Sequence, residues 1–230
     1  MGFKKSLACS HCSMASPVFR YLNPEEIAKI EHNRIEVAFN PGETIIKSGT
    51  QKTHVMSFNQ GLAKISMEGR DGKNFILDFI QSQSFFSGPG LFIDNKHHFT
   101  ITAVEACHLC LIEMNPFLDV MRGNAAMAFA FIENSNRYVL NLVNKMEGLL
   151  IKHQHGRVAE ALLYLRKELY KNNPFERSIS KNDMAEMTGL SKDSISRILH
   201  EFTNDGLMRI SGTKFHLLKE DMLEQISNNG

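Results

Sequence analysis

Residues 180–205 read Ser180-Lys181-Asn182-Asp183-Met184-Ala185-Glu186-Met187-Thr188-Gly189-Leu190-Ser191-Lys192-Asp193-Ser194-Ile195-Ser196-Arg197-Ile198-Leu199-His200-Glu201-Phe202-Thr203-Asn204-Asp205. Ser180 followed three residues later by Asp183 is a capping box with Asp in place of Glu, and it predicts a short helix over 181–187. Thr188-Gly189-Leu190 is a tight turn in which Gly189 is free to take positive φ. Ser191 then caps a second helix whose apolar face is Ile195, Ile198, Leu199 and Phe202. The small Ala185 lets the two helices cross closely, and the two isoleucines lock the second steeply onto the first. Four spaced constraints are thus met together, as a helix-turn-helix requires. Lys192, Asp193, Ser196 and Arg197 are left pointing outward from the first turns of the second helix, the part of such a motif that enters a DNA major groove. A hairpin with a purely structural role needs no such row.

On the C-terminal side, 207–217 reads as two short strands around Gly212, a wing that completes a winged helix. On the N-terminal side, Val158 to Tyr170 is amphipathic helix ended by Asn172-Asn173-Pro174. From Asn124 to about Leu150 there is no proline, and apolar residues alternate at intervals of four and three: Ala128, Ile132, Ser135, Val139, Leu142, Met146, Leu149. That narrow stripe predicts a long helix pairing with a second copy of itself at a shallow angle. Earlier still, residues 35–113 carry short apolar runs such as 44–46, 63–67 and 75–80, separated by glycine turns. They predict strands of an antiparallel roll.

The 230 residues suffice for two small domains, and 43% hydrophobic with 22% charged residues is the composition of a soluble globular protein. No apolar run approaches a membrane span, and the N-terminus lacks a secretory pattern, so the expected location is cytoplasmic with no membrane partner. In that compartment the four cysteines are expected as free thiols or metal ligands. A formal net charge of +1 gives no global support for nucleic-acid binding, which rests on local placement of Lys and Arg. No phosphate-binding glycine loop, zinc-protease His-Glu pair or nucleophile elbow occurs, so an enzyme is not expected.

A β-roll, a long dimer helix and a C-terminal winged helix, in this order and at this length, resemble the Crp/Fnr superfamily of transcription regulators. The resemblance runs from about Leu22 to Gln225 and is most specific over Leu190 to Leu199. It implies an α+β fold with a cyclic-nucleotide-binding-like roll (1–123), a dimerisation helix (124–150) and a winged-helix domain (151–230). It also implies a homodimer on palindromic double-stranded DNA, with RNA polymerase as a further partner. Asp193, Ser196 and Arg197 fall on the base-reading positions of the fumarate-nitrate regulator branch. The implied roles are Arg197 bidentate to guanine, Ser196 against a neighbouring thymine, and Asp193, one methylene shorter than the branch's Glu, accepting from the complementary strand. A TTGA-type half-site follows. Thr188, Ser191 and Lys192 are expected beside phosphates.

Cyclic-nucleotide members of the family hold the ribose with a Gly-Glu pair and the phosphate with an Arg-Ser pair. Here those places are taken by residues 86–92 and by His97-His98, so a cyclic nucleotide is not expected. The oxygen-sensing branch instead holds an iron-sulfur cluster. Cys9 and Cys12 match its first pair and Cys110 its strand cysteine, but Val18 stands where its third N-terminal cysteine belongs. Cys107 is a candidate for the fourth thiolate, although residues three apart on a strand face opposite sides; His108 shares the face of Cys110 and is the alternative. Zinc, thiol redox without metal, and a small organic ligand in the roll stay open as readings.

Overall fold

The structure, a computed structural model, describes Cys9 and residues 16–69, 72–176 and 178–229, Glu176 by its backbone alone. It has two compact units: one of residues up to Met67 with Asp78–Leu140, and one of Glu68–Leu77 with the chain from Asn141 onward.

In the first unit, a 3-10 turn at Pro17–Tyr21 precedes helix α1 (Pro24–His32). Asn23 starts that helix through a reciprocal capping box with Glu26, and Pro24 supplies a ready-set φ at the first helical position. The strands β1 (Arg34–Phe39), β2 (Thr44–Ile46), β3 (His54–Gln60), β4 (Leu62–Glu68), β5 (Asn74–Gln81), β6 (Phe85–Phe86), β7 (Thr100–Ala103) and β8 (Cys107–Glu113) follow along the chain, the end of β4 at Glu68 and the start of β5 to Leu77 being counted with the second unit. They form two four-stranded sheets in the orders β1-β8-β3-β6 and β2-β7-β4-β5. The runs expected as strands at 44–46, 63–67 and 75–80 lie within β2, β4 and β5. β8 is antiparallel to both neighbours, and its register sets Cys110 between Glu36 on β1 and Ser57 on β3.

Helix α2 (Met114–Gly123) leads into α3 (Ala125–Ile151). Asn124 makes the break: its Oδ1 accepts from the Met127 N–H at 3.0 Å, while its Nδ2 donates to the Tyr21 carbonyl at 2.9 Å. The apolar core of this unit joins Val18, Ile30, Val55, Ile112, Phe117, Met127 and Phe131 around Phe85. The Phe85 ring stacks on Phe117 at 5.3 Å and meets Phe19 and Phe131 edge-on.

Along α3 the residues of the expected stripe are unequally exposed. Ile132, Val139 and Met146 are exposed as expected, but the alternating partners are Phe129, Val143 and Leu150. With exposed Asn136, these give intervals of three and four one residue beyond Ala128, Ser135, Leu142 and Leu149, all of which are half-buried. Met127 and Phe131 are buried in the core, so the helix carries two apolar stripes and only one faces away.

The second unit contains α4 (Gln154–Tyr164), continued by a π-helical turn at Leu165–Tyr170, then β9 (Phe175–Glu176), α5 (Lys181–Thr188), α6 (Lys192–Asn204), β10 (Met208–Ser211), β11 (Lys214–Leu217) and α7 (Glu220–Asn229). The helix expected over 158–170 thus starts earlier and changes hydrogen-bonding pattern midway. The wing strands pair with β9 in the order β10-β11-β9. Val158, Leu162, Phe175, Met184, Ile195, Ile198, Phe202, Phe215 and Leu223 are buried. The architecture is the expected one: a β-rich N-terminal domain, a long helix and a C-terminal winged helix-turn-helix. No described helix is long and apolar enough to cross a membrane.

Candidate nucleic-acid interface and thiol site

Local chemistry builds the helix-turn-helix. Ser180 accepts from the Asp183 N–H at 3.1 Å, and the Asp183 carboxylate accepts from the Ser180 N–H at 2.9 Å, closing the capping box. Gly189 ends α5 at φ +68°, where any other residue except Asn or Asp is strained. Ser191 caps α6 by accepting from the Ser194 N–H at 3.1 Å. Ile195, Ile198, Leu199 and Phe202 are buried. Ser191, Lys192, Asp193 and Arg197 are exposed, and Ser196 is half-exposed.

Thr188 departs from the expectation that put it beside phosphates. It is 2% exposed, and its hydroxyl donates to the Met184 carbonyl at 2.8 Å, so it supports the turn from inside. Arg197 has local partners that sequence reading missed. Its Nη1 donates to Glu201 Oε1 at 2.8 Å and its Nη2 to Gln154 Oε1 at 3.1 Å. Glu201 also accepts from His155 Nε2 at 2.7 Å. These two donors hold the Glu201 carboxyl below its usual range, His155 more than Arg197.

The cysteines separate into two environments. Cys110 accepts from Arg34 Nη1 at 3.2 Å and from Asn59 Nδ2 at 3.3 Å. Arg34, whose side chain is 5% exposed, also pairs with Glu36. Cys9 is half-buried beside the same guanidinium: burial raises its thiol pKa, and Arg34 opposes that rise. Two thiols about a hundred residues apart in sequence are therefore brought to one buried cation. Cys12 lies outside the described residues. Cys107 is fully buried, and its thiol is directed at the carbonyls of Leu62 and Glu105, each at 3.3 Å. Burial pushes that thiol up to about 11. His108 is exposed on the strand between them. Among the described residues no group of three or more His, Cys, Asp or Glu side chains is placed to hold a metal ion.

The stretch expected in place of nucleotide-holding residues is organised by a lysine that the sequence did not single out. Lys52 is 5% exposed, and its ammonium donates to the carbonyls of Ser87 and, at 2.9 Å, of Pro89. Burial brings its pKa down to about 8. His97, expected on an exposed loop, is also 5% exposed; burial, then the Lys52 charge, lowers its pKa to about 4. Nearby in sequence His98 is paired with Asp94. The Tyr138 hydroxyl, on α3, is buried without a hydrogen-bond partner among the described residues, its ring against Phe86 and Phe99.

A double-sheet roll followed by a long helix and a winged helix-turn-helix, with Lys192, Asp193 and Arg197 exposed and Ser196 half-exposed on α6, is the architecture of a DNA-binding regulator. Residues 36–124 match the model of the cyclic nucleotide-binding domain, and residues 156–226 that of the Crp-like helix-turn-helix domain. The chain is 23% identical over 217 residues to the transcriptional activator protein FnrL of Cereibacter sphaeroides, covering 90% of this chain and 85% of that protein. It is 22% identical over 173 residues to the cAMP-activated global transcriptional regulator CRP of Pasteurella multocida, covering 74% and 83%. In fold it is similar to FixK2 from Bradyrhizobium japonicum, with TM-score 0.77 at 18% identity over 84% of this chain and 96% of that one. A putative Crp/Fnr-family regulator from Eubacterium rectale gives TM-score 0.75 at 20% identity, over 92% and 98%. The chain belongs to the Crp/Fnr family of DNA-binding transcription regulators, a family whose members are not enzymes.

Proposed function

We propose that the chain acts as a homodimer on palindromic DNA with TTGA-type half-sites, and that redox state or a gas sets its affinity through an iron-sulfur cluster. Exposed Arg197 and Asp193 and half-exposed Ser196 read bases, and Ser191 and Lys192 meet phosphates. The exposed α3 seam from Phe129 to Leu150 is the dimer contact. It sets the two α6 helices at the spacing of successive major grooves, about 34 Å. The protein works in the cytoplasm, with RNA polymerase as a partner by family resemblance.

The observation that carries the sensor reading is the convergence of Cys9 and Cys110 on Arg34. Donors aimed at sulfur suit a thiolate that carries negative charge to a metal centre, which supports Cys9 and Cys110 as two of the ligands. Cys9, Cys12 and Cys110 are the proposed ligands, with His108 favoured for the fourth position because Cys107 is turned to the Leu62 carbonyl. Such a cluster, held by these residues, would supply a redox-active centre responsive to oxidants. A second reading, a small organic ligand in the roll without metal, draws support from the Tyr138 hydroxyl, buried and without a partner among the described residues. Iron and acid-labile sulfide analysis of oxygen-free protein separates the two. A brown, iron-loaded protein supports the cluster; a colourless, metal-free protein that still binds its DNA site would sink it.

A further inference from the structure

The Arg197 guanidinium is held before any DNA arrives. One arm reaches Glu201, one helical turn further along α6, at 2.8 Å, and the other reaches Gln154, at the start of α4, at 3.1 Å. A carboxylate only accepts, so the 2.7 Å contact between His155 Nε2 and Glu201 Oε2 is a donation from the imidazole. Glu201 is therefore fixed by His155 from α4 on one oxygen and holds Arg197 on the other. An isolated exposed ion pair of this spacing has little effect. Here the carboxylate is anchored at both oxygens and the guanidinium at both terminal nitrogens, by two different helices.

We propose that Glu201 is a positioning residue for sequence reading: with Gln154 and His155 it orients the Arg197 fork, and base discrimination at that position depends on it. The inference rests on the base-reading role given to Arg197 above. A free arginine side chain has many rotamers to lose on docking, whereas a clamped one has lost them already. Two of the five guanidinium N–H groups are engaged, which leaves three for a bidentate contact to a base edge.

The test uses the full-length protein and the duplex it selects from a randomised pool, alongside the same duplex with the guanine of each half-site changed to adenine and an unrelated duplex. Glu201→Ala is expected to shrink the affinity ratio between selected and altered duplexes about three- to tenfold, leaving binding to the unrelated duplex no weaker. Glu201→Gln, which keeps an acceptor for Arg197, restores most of the ratio. Gln154→Ala, at an exposed position, moves it the same way by less, and serves if Glu201→Ala does not fold. Combined with Arg197→Ala, Glu201→Ala has no further effect. An unchanged or enlarged ratio in Glu201→Ala, beside a collapsed ratio in Arg197→Ala, overturns the clamp while leaving the reading role of Arg197 intact. An unchanged ratio in Arg197→Ala overturns both.

Discussion

Arg34 and Cys110, 76 residues apart, meet at 3.2 Å from guanidinium nitrogen to sulfur, while Cys107 on the same strand turns its thiol to the Leu62 carbonyl at 3.3 Å. One strand thus buries both cysteines, presenting one to a cation and the other to backbone carbonyls. Cys107→Ala should cost about 1 kcal/mol of stability, as removal of a small buried side chain does, and leave the iron content of oxygen-free protein unchanged. Cys110→Ala should abolish iron loading. Urea unfolding and an iron assay on both variants check this, and loss of iron in Cys107→Ala would reverse the assignment.

The exposed stripe of α3 makes a prediction about register. Burying Val143 across a dimer seam is worth about 1.5 kcal/mol per protomer, so Val143→Ser should weaken the dimer by about 3 kcal/mol, roughly a hundredfold. Leu142, half-buried on the other stripe, should affect thermal stability when changed to Ser and leave dimerisation within about threefold. Sedimentation equilibrium across protein concentrations measures both, and the opposite ranking would restore the stripe through Ala128, Ser135, Leu142 and Leu149.

His97 gives the roll an acid-sensitive point. Its pKa falls from about 6.5 in the unfolded chain to about 4 in the folded one, through burial first and then the charge of Lys52. The unfolded state therefore binds more protons between those values, and stability is lost as pH falls from 6.5 toward 4. By pH 5 the loss attributable to His97 should be about 2 kcal/mol. His97→Gln should show a correspondingly smaller drop in urea midpoint between pH 7.5 and 5; an identical drop in both proteins would show that His97 does not carry it.

Gly189 should tolerate no ordinary side chain at the helix-turn-helix turn. A Cβ there meets its nearest atom at 3.7 Å, an ordinary contact, so the penalty comes from the backbone at φ +68°. Gly189→Ala should lose about 1 kcal/mol and Gly189→Asn less, since Asn adopts this conformation more readily. Equilibrium urea unfolding reads both, and equal stabilities of Ala and wild-type protein would contradict the strain.

The helix-turn-helix was legible because its determinants are local: a cap, a glycine and an apolar face within 26 residues. The exposed stripe of α3 was half legible. Periodicity located the helix and the Ile132, Val139 and Met146 row, but α3 has apolar residues on two stripes, and only the burial of Met127 and Phe131 shows which one faces away. Lys52, His97, Arg34 and Tyr138 were missed or misread because their settings arise from long-range pairing. The Lys52 ammonium finds carbonyls 35 and 37 residues on, and no spacing rule announces that. Glu201 lay within the quoted stretch, but its role depends on His155 and Gln154 from another helix.

The central claim is that α6 reads DNA through Arg197, and a fluorescence-anisotropy titration of a labelled duplex with inverted TTGA half-sites tests it directly. Losing a bidentate arginine–guanine pair costs about 1–3 kcal/mol, so Arg197→Ala should bind about 5- to 150-fold more weakly at fixed salt while remaining a dimer. Equal affinity of Arg197→Ala and the wild-type protein for that duplex would contradict it.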